Sequence, residues 1–241
     1  MYANTTGSGN VAVGYAALDA NTTGANNTAV GYDALTAQTT GSNATALGWK
    51  ALNANTTGNN TAIGSQALFT VTTGNNNTAM GIGALQVNTS DNNTAFGHVA
   101  LTANTTGTQN VAVGAFALDS NTTAQENTMV GYAAGTAITT GSYNTAVGHI
   151  ALDANTTGIS NVALGIQALS ANTTANDNTA CGAYSLRDNT TGTFNTAVGR
   201  GALLANTTAS YNTAMGWSAL TANTTGAGSV AIGYQALTAN T

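Results

Sequence analysis

The chain has 241 residues, only 5% of them charged, with eight acids against three bases and a formal net charge of −5. There is no basic field to hold a phosphate backbone, which argues against nucleic acid as a partner. No apolar run approaches the ~20 residues of a membrane helix, so no membrane insertion is expected within this segment. Proline is absent and the 29 glycines recur in register, which separates the chain from a disordered low-complexity linker.

The register is that of a tandem repeat. From Asn4 to Ala239 the chain is fourteen copies of one sentence, twelve of 17 residues and two of 16, with the consensus N-T-T-G-x-x-N-T-A-V-G-Y-x-A-L-x-A. So short a fixed period implies coils that contact only their neighbours, hence one solenoid over residues 1–241 with coils from 4 to 239. The chain starts three residues before a copy and stops two residues into the next, with no polar capping unit. Uncapped solenoids associate end on, so the expectation is an excerpt of a longer fibre, or a chain continuing end to end with others.

The elements follow in order along the repeat, numbered from its first Asn. Position 2 is Thr in every copy, a column through Thr5, Thr22, Thr39, Thr56, Thr72, Thr105, Thr122, Thr139, Thr156, Thr173, Thr190, Thr207 and Thr224. Position 4 is Gly but accepts Ala124, Ala175 and Ala209, with Asp91 standing there in one short copy, so its conformation must be open to ordinary residues. The short copies lose a residue from the variable pair that follows, giving Asn59-Asn60 and Asn92-Asn93, as an outer loop would. Position 7 is Asn in twelve copies (Asn10, Asn27, Asn60 through Asn212), which reads as an asparagine ladder at a solenoid corner.

A short strand is predicted next, in the alternating run that places Thr28 and Val30 on one face and Ala29 on the other. It ends at position 11, Gly in all fourteen copies from Gly14 to Gly233 and never Ala, which implies positive φ or backbone packed too closely for a Cβ. A second strand is predicted in segments such as Tyr234-Gln235-Ala236-Leu237, where Leu and the Ala before it each recur in thirteen copies, with Gly135 and Ser185 the lapses. Each strand would pair a large apolar column, filling the interior, with an alanine column forming a flat outer face. Helix is rejected, because an obligatory Gly costs about 1 kcal/mol and each Thr and Asn some tenths. The fold class is therefore an all-β parallel β-solenoid, a β-roll, with coils about 4.8 Å apart. Two large apolar side chains per coil, worth roughly 1.5–3 kcal/mol each, leave little margin against ordering a whole coil at about 1.5 kcal/mol per residue. The alanine faces are thus expected to pack against other chains.

At Ser229 to Leu237 (SVAIGYQAL), at Asn110 to Gly114 (NVAVG) and at Asn161 to Gly165 (NVALG), the chain resembles the head repeats of trimeric autotransporter adhesins of the YadA-like type. The N-T-T-G-x-x-N-T-A-V-G copies are also similar to repeats of bacterial surface fibres and phage tail fibres. That resemblance spans all fourteen copies. It implies a left-handed β-roll, three chains side by side, and an extracellular, cell-surface or virion-fibre location. The copies are longer than the usual adhesin head repeat by the NTTG loop.

No catalytic constellation emerges, and no cofactor or metal is implied. A glycan-degrading solenoid enzyme would set several carboxylates together on one face, and none cluster here. His98 and His149 share a column three coils apart, roughly 14 Å at the strand spacing, too far to ligate one metal. Asp19, Asp119 and Asp153 share another column and read as solvated turn residues; Gly81-Ile82-Gly83 lacks the helix and lysine of a phosphate loop; Arg187, Arg200 and Lys50 form no cluster. Cys181 replaces an aliphatic residue and reads as a small buried hydrophobe.

Two columns carry functional expectations. Position 12 is aromatic at Tyr15, Tyr32, Trp49, Tyr132, Trp217 and Tyr234, an arrangement able to stack on sugars or anchor a host-surface partner. The Thr column resembles the arrays of ice-binding proteins. Eleven copies also read N-T-[TS] from position 1, an N-glycosylation sequon, and because that position accepts Gln38, Val71 and Ile138 its structural role reads as loose. The main expectation is a non-enzymatic structural or adhesive fibre segment; the alternative is an ice-binding solenoid using its Thr columns.

Overall fold

A computed structural model describes residues 2–238 as two compact units, Met1–Thr123 and Ala124–Thr241. Each is an all-β parallel solenoid with one strand per coil. In the first unit β1 (Val11–Val13), β2 (Thr28–Val30), β3 (Thr45–Leu47), β4 (Thr61–Ile63), β5 (Thr78–Met80), β6 (Thr94–Phe96) and β7 (Val111–Val113) pair in chain order. In the second, β8 (Thr128–Val130), β9 (Thr145–Val147), β10 (Val162–Leu164), β11 (Thr179–Cys181), β12 (Thr196–Val198), β13 (Thr213–Met215) and β14 (Val230–Ile232) do the same. Register is like on like: Val11 faces Thr28, Ala12 faces Ala29 and Val13 faces Val30.

The strands stop after three residues because the invariant glycine follows. Gly31 has φ of 139°, and a Cβ there would collide with the carbonyl oxygen of Gly48 one coil on. Both reasons inferred for that column hold at once. Position 4 lacks the positive φ, in keeping with the alanines it accepts.

The second strand does not form. Positions 13 and 15 are left-handed, with φ of 51° at Ala16 and 52° at Leu18, then 54° at both Asp33 and Leu35, which a strand does not accommodate. The segment is a run of turns that still bonds coil to coil, Leu18 N–H donating to Ala34 O at 3.0 Å and Ala20 N–H to Thr36 O at 3.1 Å. Left-handed backbone costs a leucine about 1–2 kcal/mol. Complete burial of its side chain returns roughly 1.5–3 kcal/mol, and Leu18, Leu35 and Leu52 are fully buried. Burial wins, and the ladder bond adds to it.

The faces of the strand are also reversed from expectation. Ala29, Ala46 and Ala62 point inward and are fully buried, whereas Val30, Leu47 and Ile63 point outward. The leucines of the turn segment already fill each coil, so beneath the strand there is depth for a methyl and no more. The alanine columns are consumed within the chain and cannot serve as the faces that meet other chains. Cys181 follows its column outward and is only partly buried.

Asparagine supplies a polar interior in two ladders. The one predicted at position 7 is present: Asn27 Oδ1 accepts from Ala44 N–H and its Nδ2 donates to Gly41 O, both at 2.9 Å, tying the strand and the NTTG loop of the next coil. The second ladder runs through position 1, which is not loose. Asn21 Nδ2 donates to Asn4 Oδ1 at 2.9 Å and to Gly24 O at 3.1 Å; Asn172, Asn189 and Asn206 each donate to the asparagine one coil before. Val71 and Ile138 are fully buried at the same position, so it accepts aliphatics because it faces the interior. Burial speaks against the sequon reading in ten of the eleven copies, whose asparagines, such as Asn21, Asn55, Asn104 and Asn155, have no exposed surface to carry a glycan; Asn4 in the first copy is exposed.

One short copy also differs from expectation. Ser90, not Asp91, takes the glycine's place, accepting from Asn77 Nδ2 and Asn88 Nδ2 through its carbonyl. Asp91 moves into the variable loop, where it receives Asn75 N–H at 2.7 Å. The residue lost there is the second threonine. In the other short copy the loss does fall in the variable pair, at Asn59-Asn60.

Candidate functional site

With alanine and leucine inside, each coil presents positions 8, 10 and 12 outward. In the first unit the position-10 column runs through Val13, Val30, Leu47, Ile63, Met80, Phe96 and Val113 without a polar residue. Several of these are well exposed, Val13 at 57% and Phe96 at 50%. The second unit repeats this from Val130 to Ile232, with Leu164, Met215 and Ile232 exposed. Beyond the glycine bend, position 12 turns its side chains into solvent beside this strip.

All six predicted aromatics are exposed, from Trp217 at 40% to Tyr15 and Tyr234 at 72%. In-register coils stack them: Tyr15 on Tyr32, centroids 5.1 Å apart and planes 15° apart, and Trp217 on Tyr234 at 5.1 Å and 11°. Tyr132 stacks on His149 at 5.5 Å, and His98 meets Phe116 edge on at 5.4 Å. The histidines are thus engaged with rings. Trp49 carries the Lys50 ammonium 4.9 Å from its ring centroid.

The Thr column is less free than its composition suggests. Thr5, Thr22, Thr56 and Thr105 donate their hydroxyls to the carbonyls of Thr22, Thr39, Thr72 and Thr122 respectively, at 2.9–3.1 Å, and Thr139, Thr156, Thr173, Thr190 and Thr207 continue the pattern in the second unit. Within that column Thr5, Thr72 and Thr105 are exposed and Thr22, Thr39 and Thr56 partly buried, whereas the threonines after them, such as Thr23, Thr40 and Thr57, are exposed.

The aspartates are less solvated than expected. Asp119 and Asp153 are partly buried, and desolvation pushes both carboxyls up from the usual range, against opposing hydrogen bonds, from Ser120 at Asp119 and from backbone amides at Asp153. Among the described residues, no three His, Cys, Asp or Glu side chains gather as a metal site would require, and no helix is long and apolar enough to cross a membrane.

No protein-family model matches the chain, and no curated protein matches it.

Two arrangements were missed in the sequence. Phe194 and Tyr211 stack at 5.2 Å with planes 6° apart, and their 17-residue spacing was the available signal. Arg187 and Arg200 line one depression together with Tyr184. They stand at different repeat positions, and it is the turn geometry between those positions that joins them.

Proposed function

We propose that the chain is a non-enzymatic adhesive fibre segment, extracellular, that associates as a homotrimer and presents its aromatic column to a glycan or host-surface receptor. The observation carrying this reading is that each unit has an unbroken outward strip of apolar position-10 side chains flanked by stacked, exposed aromatics. A contiguous apolar strip of this kind is a feature of interaction sites rather than of isolated soluble surfaces. Side-by-side association would bury the strip, in place of the alanine faces that the coil uses internally. The aromatics at its margin offer ring faces to sugars.

The deciding experiment is light scattering on the purified chain, followed by glycan-array binding. A trimer whose glycan binding falls on Tyr15→Ala with Tyr32→Ala, or on Trp217→Ala with Tyr234→Ala, supports the reading. A monomer of ~24 kDa sinks the trimer, and undiminished binding by both double variants sinks the aromatic site.

Ice binding is the second reading. Its support is the exposed column through Thr23, Thr40 and Thr57, repeated once per coil beside threonines whose hydroxyls are held by the ladder. Thermal hysteresis and altered ice-crystal habit test it, and the absence of both disposes of it.

A further inference from the structure

The chain has three basic residues, and two of them line a single depression of about 450 Å³ in the second unit, with Gln167, Tyr184, Leu204 and Ser218. Register builds the site. Gly201 N–H bonds to Ala183 O at 3.0 Å, which seats the Arg200 segment one coil on from Tyr184, with the guanidinium carbon 5.5 Å from the tyrosine ring centroid.

Arg187 enters from the turn segment already held by Asp188, Nε to Oδ1 at 2.7 Å and Nη2 to Oδ2 at 3.0 Å. A guanidinium has five N–H donors, so three remain for a ligand. Arg200 is in no ion pair among the described residues. Arg187 and Asp188 cancel, and Arg200 leaves one positive charge in a chain whose net charge is −5.

That balance suits a monoanion and disfavours a polyanion, which the remaining acids would repel. The planar fork of arginine matches a carboxylate. Tyr184 and Leu204 supply an apolar wall for the face of a pyranose ring, and the Gln167 amide and Ser218 hydroxyl can bond its hydroxyls. A volume within the range of small-ligand sites accommodates a ring of this size.

We propose that this depression binds the carboxylate-bearing ring of an acidic sugar, Arg200 holding the carboxylate and Arg187 assisting. The inference takes sugars as the ligand class from the adhesive reading but depends on none of its six aromatics.

Calorimetric titration with glucuronate- and sialate-terminated oligosaccharides, against neutral counterparts and inorganic phosphate, tests it. Binding confined to the carboxylated sugars is expected. Arg200→Gln should weaken it at least tenfold and Arg200→Lys less. Lys50→Gln, which removes the same charge elsewhere, should leave it unchanged. Circular dichroism checks that each variant retains the fold. Equal binding of neutral sugars or of phosphate, an equal loss with Lys50→Gln, or no binding of any carboxylated sugar overturns the proposal. Acidic-sugar binding by a chain that shows no surface adhesion would overturn the adhesive reading and leave this one standing. Glycan binding lost only with the aromatic variants would do the reverse.

Discussion

The sulfur of Met129 lies 2.7 Å from where a Cβ on Gly135 would stand, so the methionine occupies the space that a leucine fills from the turn side in other coils. Met129 replaces the strand-centre alanine in the one coil whose position-15 leucine is missing, and it is fully buried. Two lapses in the repeat are one exchange of volume across the interior. Met129→Ala alone should therefore open a cavity and cost about 2–4 kcal/mol, and Gly135→Leu alone should overpack and cost about 1–3 kcal/mol. The double variant restores the consensus pair and should recover most of the loss. A double-mutant cycle by chemical denaturation reads this as a coupling of about 2 kcal/mol or more; additive losses would show that the two sites are independent.

The glycine columns should separate sharply. Gly31→Ala combines a φ of 139° with a collision against the Gly48 carbonyl, and a loss of at least about 3 kcal/mol, or failure to fold, is expected. Gly158→Ala places at position 4 the residue that Ala175 already carries one coil on. A Cβ on Gly158 would also press on a carbonyl oxygen, that of Ala175, so the backbone must shift to admit it as it does at Ala175 itself; with no positive φ to violate, its cost should stay below that of Gly31→Ala. Thermal melts of the two variants make the comparison.

The buried ladder should outweigh the half-exposed one. Asn161 accepts Asn178 N–H at 3.1 Å and donates to Ala175 O at 2.8 Å; Ala175 O keeps a second donor in Asn172 Nδ2 at 3.1 Å, but Asn161→Ala strands the buried Asn178 N–H, at about 1–3 kcal/mol. Thr156 gives one bond of 3.1 Å to Thr173 O from a partly exposed position, where water can substitute. Thr156→Ala should cost about 1 kcal/mol or less. Equal losses in denaturant titrations would refute the distinction.

Asp153 should destabilise the fold at neutral pH. Burial raises its carboxyl pKa above the 3.8 of a free aspartate, with backbone amides and His149 opposing, and its Oδ1 has no hydrogen-bond partner among the described residues. Because the folded pKa lies above the unfolded one, the folded state holds the proton more tightly. Stability from this group is full below the unfolded pKa and is lost as pH rises through the folded value. Asp153→Asn should then raise the melting temperature at pH 7 and lose that advantage by pH 3. Asn53 shows the amide accommodated at the same repeat position, donating to Asp33 O at 3.1 Å. A gain independent of pH would point to packing instead.

The period, the strand at Thr28–Val30 and the invariant glycine could be read from the sequence because each leaves a mark in residue type. The left-handed turn did not, since Ala-Leu alternation at Ala34-Leu35 imitates a strand and leucine conceals its own dihedral. A subtler mark was present. Five glycines fall outside the two glycine columns, Gly9, Gly83, Gly135, Gly201 and Gly228, and every one occupies a left-handed position, with φ between 62° and 69°. The inward alanines were hidden for a related reason: the volume behind the strand depends on where the turn sends its leucines. The outward aromatics needed only the column itself, whereas the Arg187–Arg200 depression required the spacing between two positions on consecutive coils.

The like-on-like ladders have a consequence for how such a chain changes over generations. Asn172 bonds to Asn155 as Asn189 does to Asn172, so excision of residues 172–188 would set Asn189 against Asn155 in the place Asn172 held. Unequal recombination between near-identical copies can then lengthen or shorten the array by whole coils without creating a foreign junction. The coil holding Met129 and Gly135 is different, because its exchange survives only if both residues are inherited together. Length is freely heritable in this architecture, and that compensated pair is a place where a crossover leaves a scar.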